Sequence, residues 1–457
     1  MKKTLVALAS MAALGAFAQS SVTMYGIVEA TVDLAYKNTT NVRVDTFNSA
    51  GVVTVGPTAT ATTKAGFRVQ DGNDQGMGTS RIGWRGTEDL GGGLKANFQL
   101  EMGLRVDDGC ATVSNTPGLA APFGLPGTGS GGVTAPGAAL PAGACSSGNS
   151  GGNLFGRNAW VGASGGFGEV RLGRQVLGSF STQANGWAAG SSNGLYDSGA
   201  STAPAMGGVR FSNAIRYITP NLGGFTGSLM LAAPENTLSN NNGVVGAGTV
   251  TSTSKPKTGV DLALDYANGP LYLGFGYNTR GSSTDGVASG ASNFSDAKTK
   301  AYTLSAAFDL GVVKPYFNYT RQKTDGSAVN QPIPQVTASE AVEKAFQIGV
   351  RAPIGAATLI AGYGNSKLTL ASATVLTATT ASGTALEGKE KAFQIGLQYP
   401  LSKRTLIETN YGQYKHNQNG ATTNVAAGPL GPVVTGGSLV TASQKVNAFN
   451  VGLRHTF

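Results

Sequence analysis

The sequence predicts an all-β fold, a 16-stranded antiparallel transmembrane β-barrel, and three observations carry that reading. The first is strand periodicity with two unusual faces. In Leu94 to Glu101, Leu94, Ala96, Phe98 and Leu100 alternate with Lys95, Asn97, Gln99 and Glu101, a period-two pattern that separates an apolar face from a polar one. Just before it, Ile82 and Trp84 share one face and Arg81 and Arg85 the other. An outside in lipid and an inside in water explain a face of Trp and Phe backed by a face of charge. The second observation is that tight turns alternate strictly with long polar connections, as in barrels with short turns at one end and long loops at the other. The third is an export signal without any membrane helix. Residues 1–18 carry Lys2 and Lys3, an apolar run from Leu5 to Phe17 and the small-residue end Ala16-Phe17-Ala18, the pattern of a secretory signal peptide. Beyond them no run approaches the roughly 18 apolar residues of a spanning helix, so a membrane protein of this sequence must close its sheet.

Composition excludes several classes. Charged residues make up 12% of the chain and glycine 68 of 457 residues, while 18 Phe and 14 Tyr argue against disorder. The signal peptide takes Lys2 and Lys3 with it and lowers the formal net charge from +9 to +7. The sequence pI is near 9.4, yet the basic residues are scattered at strand spacing instead of clustered, which speaks against nucleic-acid binding. No His/Cys group has metal-ligand spacing and no cofactor motif occurs, so neither metal nor cofactor is expected. The two cysteines, Cys110 and Cys145, lie in one Gly/Pro/Ala-rich insert and are disulfide candidates in an exported chain.

Taken in order, residues 22–34 form a first strand with Val22, Met24, Val28, Ala30, Val32 and Leu34 on one face and Thr23, Tyr25, Glu29, Thr31 and Asp33 on the other. A Thr/Asn/Gly-rich loop to about residue 78 leads to the hairpin of residues 79–101. Residues 103–154 are low-complexity and read as an expanded surface loop. A second hairpin joins 155–163 to 168–174, with Arg157 and Arg171 on polar faces opposite Trp160. A loop over 175–208 leads to a third hairpin, 209–218 and 225–232, where Phe211, Ile215 and Tyr217 oppose Arg210, Ser212 and Arg216. The pattern continues through hairpins at 260–277, 302–321, 343–364 and 390–414, and residues 446–457 close the count at sixteen. Two strands open with the same seven residues, EKAFQIG, at Glu343 and Glu390. Sixteen strands enclose an aqueous lumen.

The segments SVTMYGIVEA, SRIGWRGTEDLGGGLKANFQLE, FGRNAWVGASGGFGEVRLGRQ, RFSNAIRY and the final NAFNVGLRHTF together resemble the general porins of β-proteobacteria, over the whole chain after the signal peptide. The resemblance implies an outer-membrane homotrimer of water-filled pores with short periplasmic turns and long external loops. It implies that the third loop, 175–208, folds into the pore, and that small anionic and neutral solutes pass. Tyr196 and Asp197 resemble the family's aromatic-acid pair on that loop. The arginine ladder of the anion-selective members would be Arg81, Arg157 and either Arg210 or Arg216, with Arg85 and Arg171 nearby and Glu101 facing them. Phe457 resembles the terminal aromatic read by the barrel assembly machinery, and the outer wall would meet outer-membrane lipid, including lipopolysaccharide. The insert holding both cysteines and the long first loop depart from the pattern.

Guanidiniums that stay protonated would hold positive potential at the narrowest point. The bland reading of the same arginines is structural, as braces to Glu101, Glu29 or Asp197. A barrel hydrolase would need a His near a nucleophile, and only His416 and His455 exist. His455 shares parity with Leu453 and Phe457 on the lipid face, and His416 is read as the start of a surface loop, so no catalytic residues are expected. Trp84, Trp160, Phe457 and the strand-end tyrosines are read as interfacial girdles. The alternatives are a substrate-selective channel of the same architecture and a barrel whose loops serve as adhesin or receptor.

Overall fold

The computed structural model describes residues 21–71, 80–104, 106, 111–112, 154–188, 208–234, 237–241, 250–288, 291–330, 335–376, 380–428 and 431–457. Sixteen antiparallel strands form the wall: β1 Ser21–Asn48, β2 Arg81–Gly91, β3 Leu94–Leu104, β4 Asn158–Gly165, β5 Gly168–Val176, β6 Arg210–Ile218, β7 Phe225–Ala232, β8 Val250–Asn268, β9 Leu271–Ala288, β10 Ala291–Phe308, β11 Lys314–Asn330, β12 Gln335–Ile354, β13 Ala357–Leu376, β14 Thr380–Pro400, β15 Thr405–Gly428 and β16 Gly431–Thr456. Each pairs with the next, and β16 pairs back onto β1 from Ile27↔Thr456 to Asn48↔Gly436, so the sheet has no free edge. Among the described residues one helix, α1 Gly178–Asn185, interrupts the strands.

The wall is inverted relative to a water-soluble barrel. Leu264, Leu273, Ile348, Ile395 and Leu453 are exposed, whereas Asn278, Thr303, Asn318, Gln347 and Asn450 on the opposite face are buried. Lipid satisfies the first set. The second bond to one another, as where Asn318 Nδ2 donates to Thr303 Oγ1 and to Ser305 Oγ, both at 2.8 Å.

The strands outrun the sequence reading. A lipid-spanning strand needs about 9–11 residues, yet β1 has 28, β15 has 24 and β16 has 26. Much of what reads as long loop is therefore strand extended beyond the membrane. The first loop is one example: Val53–Thr54, Thr58–Ala65 and Arg68–Asp71 fold back along β1, and β2 continues the same line. Its TATATT repeat carries the β-branched alternation of a strand, which polarity and turn residues hide from a search for apolar runs. For the same reason Glu343 and Glu390 lie inside β12 and β14 instead of opening them.

At the seam, Gly26 N donates to Phe457 O at 3.0 Å and Phe457 N to Gly26 O at 3.1 Å. The Phe457 ring fills the place where a side chain at residue 26 would stand, 2.8 Å from its Cε1. Residues 1–18, Cys110 and Cys145 fall outside the described residues.

Candidate channel lining

The inward faces of β1–β6 concentrate arginines. Cross-strand register sets their heights: Ile27 lies opposite Arg81, Tyr25 opposite Gly83, and Gly83 opposite Glu101, while Arg85 lies opposite both Thr23 and Gln99. Four residues separate Arg81 from Arg85, or about 13 Å along the strand at ~3.3 Å per residue.

Glu101, buried on β3, collects the upper group. It accepts from Arg157 Nε at 2.6 Å, from Tyr25 OH at 2.8 Å and from Asn158 Nδ2 at 3.3 Å, and Arg81 Nε lies 4.0 Å away. Arg210 sits within electrostatic reach of Arg157, Glu101, Arg174 and Arg81. Its Nε and Nη1 find no hydrogen-bond acceptor among the described residues. Three guanidiniums therefore meet one carboxylate, and the arrangement is cationic. Beside it Arg454 Nε binds Glu29 Oε2 at 2.6 Å, a pair that ties β16 to β1 across the seam.

Of the two arginines that the family resemblance leaves open, Arg210 joins this group and Arg216 does not. Arg216 donates to Val176 O and Ser228 Oγ, both at 3.1 Å. Arg171 pairs with Glu169 at 2.7 Å and stacks over Trp160 at 4.2 Å. Arg85 lies over the Tyr25 ring at 5.1 Å. Arg85, Arg171, Trp160, Gln99 and Asn97 line a recess of about 430 Å³ toward the short-turn end.

Two parity readings are corrected here. Trp160 does not belong to the outer girdle: it is buried, and its Nε1 donates to Gln99 Oε1 at 3.1 Å. β4 starts at Asn158, so Asn158, Trp160 and Gly162 take the inner face while Val161 points out. Arg157 reaches Glu101 from the turn before the strand, so it arrives on the inner side without strand parity. On β6 the register shifts between Phe211 and Ala214 around Asn213, whose φ is 52°. That bulge turns Phe211 inward, to pack with Leu177, Met230 and Ala214, while Ile215 and Tyr217 stay outside. Trp84 keeps its expected outer position, edge-on to Phe155 at 6.1 Å.

The loop that follows β5 enters the lumen as α1. No acidic residue stands in its first turn and no local side chain caps it. The barrel wall caps it instead: Gly178 N donates to Asp261 Oδ2 at 2.7 Å, Ser179 N to both Asp261 oxygens at 3.3 Å, and Ser179 Oγ to Asp261 Oδ1. These satisfy N-terminal donors that a helix leaves unpaired and place a carboxylate at the positive end of its dipole. Thr182 Oγ1 donates to Asp265 at 3.0 Å, and Gln183 Nε2 to Thr320 Oγ1 at 3.0 Å. At Gly276 a Cβ would come within 2.7 Å of the Ser179 Cα, so the bare backbone of β9 is the seat of the helix. Arg351 Nη1 holds Ala188 O at 3.3 Å. Residues 178–188 thus run across the inner faces of β8–β12. Tyr196 and Asp197 lie outside the described residues.

Sequence reasoning did not single out Asp261 and Asp265 as anchors, although both alternate with Leu262 and Leu264. It also misplaced His416. That residue sits inside β15, buried, with Nδ1 3.4 Å from Glu390 Oε1, beside Tyr414, whose OH donates to Glu390 at 2.8 Å. His455 is outward as expected, 2.9 Å from Thr405 Oγ1.

The family described as Gram-negative porin matches residues 4–422. Outer membrane porin protein 32 of Delftia acidovorans is 29% identical over 380 residues, which cover 80% of this chain and 79% of that protein. Major outer membrane protein P.IB of Neisseria gonorrhoeae is 30% identical over 245 residues, 52% of this chain and 51% of that one. Among solved structures, an anion-selective porin from Comamonas acidovorans covers 96% of this chain and 100% of its own, at 23% identity and a TM-score of 0.42. A match over most of the chain, on a closed barrel with polar groups inside and apolar groups outside, means that the chain belongs to the Gram-negative porins, channel proteins of the outer membrane.

Proposed function

We propose that this porin passes small hydrophilic solutes by passive diffusion, prefers anions over cations, and has no catalytic role. The observation that carries the preference is the excess of guanidinium over carboxylate where Arg81, Arg157 and Arg210 meet Glu101. A unit charge about 4 Å away is worth ~1 kcal/mol even in water. At physiological ionic strength the Debye length is roughly 8 Å, so charges at wide mouths are screened and those lining a narrow passage select. The loop of residues 175–208 supplies that passage, and its first part already lies against the inner wall. The signal peptide, residues 1–18, directs export. Phe457 serves both as seam residue and as the signal for the barrel assembly machinery. Three copies associate as a homotrimer, with lipopolysaccharide and other lipid around the rest of the wall.

The test is the zero-current potential of the purified protein in a planar bilayer under a KCl gradient. It should take the sign set by chloride. In an Arg81→Ser, Arg157→Ser variant the chloride preference should fall roughly two- to tenfold, given ~1.4 kcal/mol per factor of ten. Cation preference in the parent protein would refute the arginine reading and leave the channel standing.

A further inference from the structure

The recess on the short-turn side of the upper arginine group has a built floor. Asn97 and Gln99 form it, and both amides are fixed. Asn97 Oδ1 accepts from Thr87 Oγ1 at 3.0 Å, and its Nδ2 donates to Ser164 Oγ at 2.8 Å. Gln99 is held between Tyr25 OH and Trp160 Nε1. Among the described residues these bonds leave the Thr87 oxygen able to accept and the Ser164 hydroxyl able to donate, and Ser21 and Thr23 add further hydroxyls to the lining.

Two guanidiniums overlook this floor from opposite sides. Arg85, exposed on β2, lies over the Tyr25 ring and makes neither hydrogen bond nor ion pair among the described residues. Tyr25 in turn lies across Gly83, where a Cβ would come within 2.6 Å of its Cζ. On β5, Arg171 leans over β4. Its stem crosses Gly162, where a Cβ would stand 3.3 Å from Arg171 Cγ, and its guanidinium stacks on Trp160 while Glu169 Oε2 accepts from its Nη2. β2 and β5 are three strand spacings apart, about 14 Å. Arg216, in register with Arg171, is turned away to Val176 O and Ser228 Oγ. At the rim, Asp89 and Lys95 stand opposite each other and balance. Two arginines against one glutamate leave the recess a single net positive charge.

We propose that this recess is a binding subsite for hydroxylated monocarboxylates, the chemistry of an open-chain sugar acid. It deepens the channel reading above, on which its place in solute passage rests. Arg85 takes the carboxylate in the bidentate geometry that a guanidinium offers. The Arg171–Glu169 pair sets donors beside an acceptor and takes hydroxyls at the far end, with Thr87 and Ser164 serving those between. A single net charge matches one carboxylate, and a second would meet Glu169. Trp160 is buried under Arg171, so no open ring face is left for a solute with an apolar body. The volume of about 430 Å³ equals roughly 14 waters at ~30 Å³ each, room for such a solute with part of its hydration. A channel site must bind well enough to admit a solute and loosely enough to release it, and the open, water-facing Arg85 suits that balance. The subsite lies between the Arg81–Arg157–Arg210 group and the short-turn mouth, so it holds a solute that has passed the one and has yet to leave by the other.

The test titrates the full-length protein in detergent with gluconate, sorbitol and hexanoate, which share a chain length, and reads binding by ligand-observed NMR. Gluconate should bind at least about tenfold more tightly than either, since sorbitol lacks the charge-assisted contact and hexanoate lacks the hydroxyls. Arg85→Gln should remove the advantage of gluconate over sorbitol, and Arg85→Lys should restore part of it. Glu169→Gln should reduce the advantage of gluconate over hexanoate. An Arg81→Ser, Arg157→Ser variant should bind gluconate like the parent, because neither residue lines the recess. Equal binding of the three solutes, an Arg85→Gln variant that keeps the full preference, or loss of gluconate binding in an Arg81→Ser, Arg157→Ser variant that still conducts would overturn the assignment. The titration needs no conductance, so a parent that passes no ions would refute the channel reading without touching the subsite.

Discussion

At the scale of single residues, Glu101 sets how much of the arginine charge is available to the lumen. It takes one full ion pair from Arg157 and a weaker one from Arg81, and so braces the wall while lowering the local potential. The two roles separate in a Glu101→Gln variant. Loss of the carboxylate should raise chloride preference roughly two- to tenfold. It should also cost about 3–5 kcal/mol of stability, the usual penalty for stranding one partner of a buried pair. Bilayer reversal potentials and urea unfolding in detergent would check the two halves. Unchanged selectivity would mean that Arg157 and Arg81 act as braces alone. The same residues show what one sequence can disclose. Arg81, Glu101 and Arg85 sit in an unbroken alternation, so parity placed them correctly. Trp160 and Phe211 were misplaced because a strand that starts at Asn158 and a bulge at Asn213 each shift the alternation, and neither has a signature in residue type. His416 was misread because its surroundings, KHNQNG, look like a turn until β16 pairs with them.

At the scale of elements, α1 is held by the wall far more than by itself. Its eight residues are fewer than the roughly 12–15 that an isolated helix needs for marginal stability in water. Asp261 supplies the cap that Leu177 cannot. Replacing Asp261 by Ala removes three donors' acceptor at once, a loss of about 1–2 kcal/mol on the scale of N-cap substitutions. The barrel should survive, since β8 keeps its full ladder. The helix should not stay seated, and the expected readout is larger open-channel current noise together with faster amide exchange over Gly178–Asn185. Noise and exchange identical to the parent would place the anchor elsewhere. The helix itself was not legible: SFSTQAN has no apolar stripe, and its N-cap position holds Leu177, which cannot cap. The hairpins were legible, because each pairs a run of alternation with a short Gly, Pro or Asn turn. Strand lengths were not, because outside the lipid a strand needs no apolar face and its Thr, Ser and Asn alternate without contrast.

At the scale of the whole molecule, charge and position divide the labour. Among the described residues, arginines gather inward on β1–β6 and lysines stand outward on β12–β16. Selectivity should therefore depend on salt in the way set by the inner set alone. Between 0.1 M and 1 M KCl the Debye length shrinks from about 10 Å to about 3 Å, and chloride preference should fall over that range without vanishing, as groups at a narrow passage remain within a few ångströms of a passing ion. Reversal potentials at the two concentrations check this. Preference lost entirely at 1 M would assign selectivity to the wide mouths.

The seam has a consequence for biogenesis. Arg454 and Glu29, which clasp the two ends of the sheet, are 425 residues apart in the chain. A piece that lacks β16 leaves β1 without its partner and cannot close as this barrel does. Until β16 is in place both margins carry unpaired N–H and C=O groups, the template on which strands of other chains add, and contacts this distant in sequence form slowly. The nascent protein must therefore be kept from its neighbours through the whole of its synthesis and transit, and any break in translation before the final strand yields a product with two sticky borders and no way to join them.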